Sequence, residues 1–382
     1  MGNGISAWQK AERLEEILPE VREALTAKVD RMIDQLKGKS PHVAKADGIY
    51  DDLRLDWWTS GFWPGILWIL YEQTGKEHYR KAAWDWDIRI EGKFAEDNNF
   101  HHDVGFQFLP TAVIKHALTG CKDALRRGVQ AATFLSGRFN PAGSFIRAWN
   151  QEKTGWAIVD STMNLSLLFW ASRVTQDPRF SQIARLHADT VVSRFIRPDG
   201  SVNHIVSFDP ATGEFIESLG GQGAGPHSSW SRGAAWALHG MANVYRYTGD
   251  RRYLEAAQRV AHYFLACLPE DAVPAWDFRA SENLEEEPRD SSAASCAASG
   301  LLELADALPG IEGSLYRREA ERILLSLTRN YGTWENPAHE AILVAGTGNK
   351  PAGQNINVSL IYGDYYYVEA IAKLSGWKSR IF

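Results

Sequence analysis

Two aspartates stand at the start of apolar helical segments, in the sequences HHDVGF and AIVDSTMN. Asp103 follows two histidines, and Asp160 follows the apolar run 156–159. Aspartate is a favoured N-cap residue, so each has a purely structural explanation. The apolar run, however, predicts a poorly solvated Asp160 with a raised pKa, and two histidines are an unusual context for a mere cap. Two carboxyl groups that meet at one end of adjacent helices are suited to acid–base chemistry on a sugar.

A second set of polar and aromatic residues lies in the segment 221–236, GQGAGPHSSWSRGAAW. Trp230, Arg232 and Trp236 fall on or near the first turn of another apolar helix. A guanidinium can pair with a carboxylate through two hydrogen bonds, and indole rings stack on sugar faces. The glycine-rich start does not match a phosphate-binding loop, because no Gly-Lys-Ser/Thr follows it. His204, from the same long loop, is by itself better explained as a core or surface histidine.

Further tryptophans occur in or beside the loops that precede the apolar helices. Trp57, Trp58 and Trp63 belong to DWWTSGFW, and Trp149 belongs to IRAWN. Each of them alone would be assigned to the core, but several at one rim indicate a platform for carbohydrate.

The sequence offers no convincing metal site. His101, His102 and Asp103 are adjacent and have no distant partner at metal-ligand spacing, so we expect neither a metal nor another cofactor. The acidic stretch 281–290 is expected to be a solvated loop that ends in an N-cap at Asp290.

All these residues fall at one end of a phrase that the chain repeats six times. The phrase is an apolar helix, a short turn such as Thr74-Gly75 or Thr119-Gly120, and a charged amphipathic helix. The sixth apolar helix, 363–376, finds its charged partner in the segment around 9–37. Such repeats predict an array of supersecondary units, and helices that are apolar all round belong inside. We therefore predict an all-α (α/α)6 toroid with inner and outer helix layers, formed by one domain over residues 1–382.

The connections between the repeats are long and uneven. They span 38–61, 97–103, 137–159, 196–229, 268–289 and 332–361. By alternation, all six emerge at one end of the ring, together with the N-termini of the inner helices. Long loops in a compact domain are usually functional, and converging helix N-termini favour an anionic ligand. We expect no strand-dominated segment apart from a small hairpin within 200–217.

Composition excludes several classes of function. The 382 residues carry a net charge of −6, which argues against nucleic-acid binding. Neither a run of 18 apolar residues nor a leader is recognised, so we expect no membrane span and a cytoplasmic protein. A periplasmic protein whose signal peptide had been removed would look the same. Cys121, Cys267 and Cys296 are scattered and odd in number, which fits free buried thiols. The oligomeric state is left open.

Several motifs together resemble the unsaturated glucuronyl hydrolases of glycoside hydrolase family 88. The motifs are DWWTSGFWPGILW, HHDVGF, AIVDSTMNLSLLFWAS, SSWSRGAAWALHG, WDFRA, RDSSAAS and IYGDYYYVEAI, and the resemblance extends from about residue 40 to 375. It implies an (α/α)6 barrel. It also implies removal of the 4,5-unsaturated uronic acid that polysaccharide lyases leave at the non-reducing end of oligosaccharides. Family members hydrate the C4=C5 vinyl ether instead of attacking the anomeric carbon.

The resemblance also implies roles for individual residues. The aspartate matching Asp160 protonates C4 and helps to activate the water that adds at C5. The aspartate matching Asp103 is also needed, to hold ring hydroxyls and to keep Asp160 protonated. His204, Gln222 and Arg232 are candidates for contacts to the uronate or the water. The pocket residues that carry over from the family are Trp58, His102, Trp149, His204, Gln222, Trp230, Arg232 and Trp236.

The last loop, 339–359, is where contacts to the next sugar are expected. Thr347, Asn349 and Lys350 are candidates for recognising a sulfate or hydroxyl there, although a solvated loop explains them equally well. The family pattern would also place an acidic residue at Asn357.

Other functions stay open at this point. The unsaturated rhamnogalacturonyl hydrolases share the fold and the chemistry but act on pectin fragments, and the HHDVGF context favours the glucuronyl type. An inverting glycosidase would use Asp103 as base and Asp160 as acid, and would change the anomeric configuration of the released sugar. A carbohydrate-binding toroid or a sugar epimerase would not add water. The sequence does not identify the parent polysaccharide.

Overall fold

The helices form a closed ring with two layers. The computed structural model describes residues 8–150 and 152–382. In chain order the helices are α1 (Leu18–Gln35), α2 (Phe62–Thr74), α3 (Glu77–Ala83), α4 (Trp86–Gly92), α5 (Val104–Phe108), α6 (Ile114–Thr119), α7 (Lys122–Ser136), α8 (Ser161–Thr175), α9 (Pro178–Thr190), α10 (Ser231–Thr248), α11 (Arg251–Ala266), α12 (Ser291–Ala307), α13 (Gly310–Ser326) and α14 (Ile361–Leu374). The inner layer consists of α2, α5 with α6, α8, α10, α12 and α14. Each inner helix packs on the next, and α14 packs on α2, so the ring closes. The predicted (α/α)6 toroid is confirmed.

The second inner segment is one helix interrupted by a wider turn. Leu109–Val113 is π-helical and joins α5 to α6. Pro110 lies in this turn, and its missing N–H cannot sustain the regular ladder of an α-helix. Two further π-helical turns, Val191–Phe195 and Leu327–Tyr331, end the outer helices α9 and α13.

A threonine closes four of the inner helices in the same way. The hydroxyl of Thr74 donates to the carbonyl of Leu70 (2.6 Å) and accepts the N–H of Lys76 (3.3 Å), and Thr119, Thr175 and Thr248 repeat this arrangement. The residue that follows has a left-handed backbone, which is glycine in three cases and Gln176 (φ 58°) in the fourth. These local bonds satisfy the last carbonyls of each helix and turn the chain towards its outer partner.

Small residues let neighbouring inner helices approach closely. A Cβ on Gly105 would lie 2.4 Å from Oδ1 of Asn164, and one on Gly300 would lie 2.8 Å from the Cα of His239. At these glycines the backbone of one inner helix lies directly against its neighbour, which holds the N-termini of the inner helices in a narrow circle. That circle is the end at which the long loops emerge.

Three small sheets stiffen the loops. β1 (Val43–Ala44) pairs with β7 (Ser359–Leu360), and β2 (Phe139–Asn140) pairs with β3 (Phe145–Ile146). β4 (Trp156–Ile158), β5 (Ile205–Phe208) and β6 (Phe215–Leu219) form an antiparallel sheet in which Ile158 pairs with Ile205. The predicted hairpin in 200–217 is confirmed, and β4 extends it. Because β4 leads directly into Asp160 and β5 follows His204, this sheet brings the two residues together.

Two expectations about the whole chain meet the structure here. In the described ranges, no helix is long and apolar enough to cross a membrane. Cys121, Cys267 and Cys296 are all free thiols, but only Cys296 is fully buried, so the expectation that all three are buried was wrong for two of them. Cys121 and Cys267 lie at helix ends, where the outer layer leaves them half-covered.

Candidate active site

The long loops surround a cavity of about 240 Å³ at the N-terminal end of the inner helices. Ligand pockets for drug-sized molecules start at roughly 300 Å³, so this cavity suits about one sugar ring. Five of the six predicted loops contribute to its described lining, and the loop 268–289 does not. The lining residues are His42, Trp57, Trp58, His101, His102, Asp103, Trp149, Ile158, Asp160, Gln222, Trp230, Arg232, Gly348, Asn349, Gln354, Asn355 and Tyr362.

Asp160 occupies the N-cap position of α8 without acting as a cap. Its side chain makes no capping hydrogen bond, and its Oδ2 atom is buried with no hydrogen-bond partner in the described structure. The side chain keeps 15% of its surface exposed where it lines the cavity. Burial raises the pKa of Asp160 to about 7, against the opposing charge of Arg232. A helix-capping role therefore does not explain Asp160. Its carboxyl group is instead suited to give and take a proton near neutral pH.

Asp103 occupies the same position on α5 and likewise does not cap its helix. Burial, together with the negative charge of Asp160, raises the pKa of Asp103 well above its usual range. The Nδ1 atom of His102 lies 3.2 Å from its Oδ1 atom. The two aspartates thus face one cavity from adjacent helices, as the sequence predicted.

Asn164, which the sequence reading missed, connects the two helix starts. Its Nδ2 donates to Oδ1 of Asp103 and to the backbone carbonyl of Asp160, both at 3.2 Å. Its Oδ1 accepts the N–H of Phe106 at 2.9 Å. One amide therefore fixes the spacing of both aspartates. The only hint in the sequence is its place one helical turn after Asp160.

His204 lies directly beside Asp160, although its ring is among the lining residues of a neighbouring cavity and not of this one. Its Nε2 is 3.7 Å from Oδ2 of Asp160, and neither atom has another hydrogen-bond partner among the described residues. The backbone N–H of Gln222 points at Nδ1 of His204 at 2.8 Å. The carbonyl of Gly220 lies 3.1 Å from the same Nδ1 atom. Because a backbone N–H can only donate and the contact with Gln222 is the shorter of the two, we assign the lone pair to Nδ1 and the proton to Nε2. Burial lowers the pKa of His204 to about 3, which keeps the ring neutral with an N–H facing Asp160.

The glycine-rich segment that begins at Gly221 makes this contact possible. Gly221 has a left-handed backbone (φ 57°), and a Cβ there would lie 2.2 Å from Nδ1 of His204. Only glycine allows the chain to pass close enough for the N–H of Gln222 to reach the ring. This segment does not match a phosphate-binding loop, and its role in the structure is to orient His204.

His101, His102 and Asp103 bring one nitrogen or oxygen atom each within 4.8 Å of one another, which is a partial set of metal ligands. Two of these residues already have partners, because His102 Nδ1 lies 3.0 Å from the hydroxyl of Ser161 and Asn164 donates to Asp103. Burial lowers the pKa of both histidines, to about 4 for His101 and well below the usual range for His102. The two neutral rings fit a role in orienting Asp103, and the expectation of no metal stays a prediction.

Arg232 is held from several sides beneath the cavity. Its Nη1 donates to Oδ2 of Asp290 and to the carbonyl of Thr347 (2.6 Å). Its Nη2 donates to Oε1 of Gln222 (3.1 Å) and to the carbonyl of Gly348 (2.6 Å). The sequence predicted that Arg232 could pair with a carboxylate through two hydrogen bonds. In the structure its terminal N–H groups already have partners within the protein, and the carboxylate among them is that of Asp290. Because the last loop folds onto it, the guanidinium acts on the cavity mainly through its charge.

Asp290 was predicted to be an N-cap, and this is confirmed. Its Oδ1 accepts the N–H of Ser292 at 3.1 Å. It also accepts the N–H of Thr347 at 3.3 Å, so one buried carboxylate caps α12, pairs with Arg232 and anchors the last loop. The sequence did not predict the contacts of Asp290 with Arg232 and Thr347, because Asp290 follows an acidic stretch that is typical of a solvated loop.

The tryptophans divide into wall and core. Trp58, Trp149 and Trp230 line the cavity, and so does Trp57. Trp236 does not line it. The ring of Trp236 is fully buried and packs on Phe106 and Tyr366, at centroid distances of 5.2 and 5.4 Å. Trp63 is buried as well and faces a separate outer groove.

Trp236 begins the second turn of its helix, which places its ring below the floor of the cavity. Trp236 lies on the same face as Arg232 but one turn deeper, so depth along the helix, which the sequence pattern does not resolve, decides between wall and core.

The last loop contributes differently from the sequence expectation. Asn349 lines the cavity, as do Gln354 and Asn355. Thr347 is buried and donates its hydroxyl to the carbonyl of Arg289 at 2.8 Å. Lys350 forms an ion pair with Glu287 and lies 5.2 Å from the ring centre of Trp276.

Asn357, where an acidic residue was expected, is exposed and has a left-handed backbone (φ 55°). Asparagine tolerates this conformation better than most residues, so a local backbone requirement explains its presence.

His42 is a further cavity residue that the sequence reading missed. Its ring lies 6.1 Å from that of Trp58 and 6.2 Å from that of Tyr362. Burial lowers its pKa to about 3, and its Nδ1 is buried with no hydrogen-bond partner in the described structure. It arrives through the β1–β7 pairing between the two ends of the chain, which no local pattern announces.

Comparison with known proteins gives the site a context. The family model described as Glycosyl Hydrolase Family 88 matches residues 28–381. The unsaturated glucuronyl hydrolase of Bacillus sp. (strain GL1) is 34% identical over 358 residues, which cover 90% of this chain and 93% of the relative. The crystal structure of unsaturated glucuronyl hydrolase from Bacillus sp. GL1 superposes with a TM-score of 0.90 at 32% identity, covering 94% of this chain and 96% of that one.

A mutant unsaturated glucuronyl hydrolase of Streptococcus agalactiae, complexed with dGlcA-GalNAc6S, superposes with a TM-score of 0.84 at 28% identity. The match covers 98% of this chain and 96% of that one.

Proposed function

From the premise that this chain belongs to glycosyl hydrolase family 88, we propose that it removes a terminal 4,5-unsaturated uronic acid from oligosaccharides by hydrating the C4=C5 double bond. The observation that carries the proposal is the state of Asp160. A carboxyl group with a pKa of about 7, facing a cavity the size of one sugar ring, can deliver a proton at neutral pH.

The chemistry follows from the substrate's vinyl ether. Asp160 gives its proton to C4, and the positive charge that develops at C5 is shared with the ring oxygen. Water adds to C5, and its proton returns to Asp160, so that one water is consumed and the enzyme is restored. The resulting hemiketal opens and releases the next sugar. One residue can act first as acid and then as base because the two reacting carbons are adjacent.

His204 is suited to hold the attacking water. Its Nε2–H and the Oδ2 atom of Asp160 are 3.7 Å apart, too far for a direct hydrogen bond. A polar separation of this size calls for a shared partner, and a water beside the pair would touch both groups. Since the neutral ring donates through Nε2, it would engage one lone pair of the water and leave the other free to attack C5.

Asp103 supports the protonated state of the pair. Two carboxyl groups buried in one cavity resist simultaneous ionisation, so near neutrality the pair retains a proton. Its second role in the proposal is to accept hydrogen bonds from ring hydroxyls, with His102 and Asn164 keeping it in place.

The rest of the cavity fits an anionic sugar. Trp58, Trp149 and Trp230 offer indole faces to the ring. The converging N-termini of the inner helices and the buried charge of Arg232 provide positive potential for the uronate carboxylate.

The deciding experiment follows the conjugated double bond of lyase-generated disaccharides. Loss of its ultraviolet absorbance, with products that together weigh one water more than the substrate, supports hydration. An inverting glycosidase would leave the double bond in the released sugar and invert the anomeric centre. An epimerase would conserve mass, and preference for pectin fragments would indicate the rhamnogalacturonyl type.

A further inference from the structure

A second cavity, of about 450 Å³, opens beside the active-site cavity. We call it the annex. The two share Trp149, Gln222 and Asn349, so a ligand bound in one can continue into the other. The annex also contains Lys153, Trp156 and Leu219. It is nearly twice as large as the active-site cavity.

The annex holds an ammonium group against two indole rings. The rings of Trp149 and Trp156 lie 5.9 Å apart and nearly perpendicular, at 62°. The Nζ atom of Lys153 is 5.2 Å from the centre of the first ring and 4.3 Å from that of the second. Attraction between a cation and aromatic faces orders an otherwise flexible side chain. The ammonium is therefore positioned at the corner where the two rings meet.

Lys153 is free to bind an anion. In the parts of the chain that the structure describes, no carboxylate lies within 4.0 Å of its ammonium. Other cations near the mouth are committed: Arg232 to Asp290, and Lys350 to Glu287. An ordered, unpaired cation beside sugar-sized aromatic faces is a feature expected of a site for an acidic saccharide.

We infer that Lys153 recognises an anionic substituent on the part of the oligosaccharide that extends from the active-site cavity into the annex. The inference rests on the proposed function, which places the terminal uronic acid at Asp160. The remainder of the oligosaccharide must then leave through an open side, and the shared wall of Trp149 and Asn349 leads there. Both a sulfate ester on the second sugar and a carboxylate on a third sugar present the anion that Lys153 would select.

The test compares kcat/KM for matched unsaturated substrates in the full chain. The substrates are an unsulfated disaccharide, the same disaccharide sulfated on its second sugar, and an unsulfated trisaccharide whose third sugar is a uronate. The variants are Lys153→Met and Lys153→Arg, with Lys378→Met as control, because Lys378 is exposed and follows the C-terminal end of α14. Lys153 is exposed too, so its variants should keep the melting temperature of the wild type.

We expect Lys153→Met to lower kcat/KM about threefold to fivefold for the anionic substrate, the scale of one partly solvated ion pair. The change should lie in KM, since Lys153 lines the annex and is not among the residues that line the active-site cavity, and it should shrink at high salt. The unsulfated disaccharide should be unaffected, and Lys153→Arg should restore the preference. A loss for the sulfated disaccharide only identifies sulfate, and a loss for the trisaccharide only identifies the carboxylate.

Equal losses for charged and uncharged substrates, or no loss for either, would overturn the role of Lys153 while leaving the hydration reaction intact. Failure of the wild type to turn over any unsaturated disaccharide would overturn the proposed function and this inference together.

Discussion

The Nε2 atom of His204 and the Oδ2 atom of Asp160 face each other at 3.7 Å across the wall of the active-site cavity, and both are buried without another partner in the described structure. The separation is too long for a hydrogen bond and short enough for one water to touch both atoms. Buried polar atoms are normally hydrogen-bonded, so a water held between these two atoms would satisfy both.

Replacing Asp160 with asparagine should remove proton transfer and leave the fold intact. The amide has the same shape but cannot donate to C4, and we expect kcat to fall by about 10²–10⁴-fold, the scale of lost general acid–base catalysis. Loss of the substrate's ultraviolet absorbance measures the rate, and circular dichroism checks the fold. A variant that retained more than about a tenth of the wild-type rate would remove Asp160 from this role.

The rate should depend on pH through the protonated form of Asp160. Its pKa is raised to about 7, and the acid form starts the reaction, so kcat should decline as pH rises through about 7. His204 titrates near 3 and should not contribute to this limb. A pH profile of kcat, measured between about pH 5 and 9 in buffers of constant ionic strength, checks the position of the decline. A rate that increased through neutrality would mean that the ionised carboxylate is the active form.

The same shift predicts a pH-dependent stability difference between the wild type and Asp160→Asn. The pKa of Asp160 lies near 7 in the folded state and near 3.8 when unfolded, so the folded state binds the proton more tightly. Its contribution to the free energy of unfolding is therefore lost as pH rises from about 4 to 7, by on the order of 4 kcal/mol for the full shift. Urea unfolding near pH 4.5 and pH 8 should show Asp160→Asn gaining relative stability at the higher pH. A constant difference at both values would contradict the raised pKa.

Removing the amide of Asn164 should impair catalysis without removing any group that reacts. In Asn164→Ala, Asp103 loses the Nδ2 donor, and the N–H of Phe106 keeps only the backbone carbonyl of Asp103 as its acceptor. Each lost hydrogen bond of this kind costs about 0.5–1.5 kcal/mol of stability. We also expect kcat to fall about tenfold to a hundredfold, with a smaller change in KM, because the spacing of the two aspartates is no longer held. Urea unfolding measures the loss of stability, and steady-state kinetics of the same variant measure the rate. An unchanged kcat in a folded Asn164→Ala would contradict the positioning role of Asn164.

Neutralising Asp290 should destabilise the floor of the site. Asp290→Asn keeps the shape and the cap on α12 but leaves the buried charge of Arg232 without its counterion. Breaking one partner of a buried ion pair typically costs about 3–5 kcal/mol, and this should lower the urea midpoint. The exposed pair Arg13–Glu15 offers a control, since Glu15→Gln should change the midpoint by very little. Equal effects for the two substitutions would mean that the Arg232–Asp290 pair carries no special weight.

Trp58 and Trp236 should respond differently to substitution. Trp58 lines the cavity, and Trp58→Ala should raise KM by removing an indole face from the sugar. Trp236 is core, and Trp236→Phe should lower the melting temperature while KM stays close to the wild-type value. Steady-state kinetics and thermal unfolding of both variants distinguish wall from core. An increase in KM for Trp236→Phe equal to that of Trp58→Ala would place both rings against the substrate.

The sequence by itself determined the architecture and the end at which the site lies. Helical periodicity, the Thr-Gly turns and the long connections are local signals, and each inner helix is apolar all round, so the ring and its mouth follow from pattern alone. The two aspartates could be placed there for the same reason, because each directly precedes the first turn of its helix.

Only the tertiary structure decided which atoms meet. Asn164 joins two helix starts, Asp290 claims the guanidinium of Arg232, and the N–H of Gln222 selects the tautomer of His204. These contacts join segments that pack against one another only in the folded ring. Each requires its two atoms to be placed to within a few tenths of an ångström. A helical pattern indicates which face of a helix is apolar. The hydrogen bonds that position a proton, such as that on His204, come from residues that only the closed ring brings together.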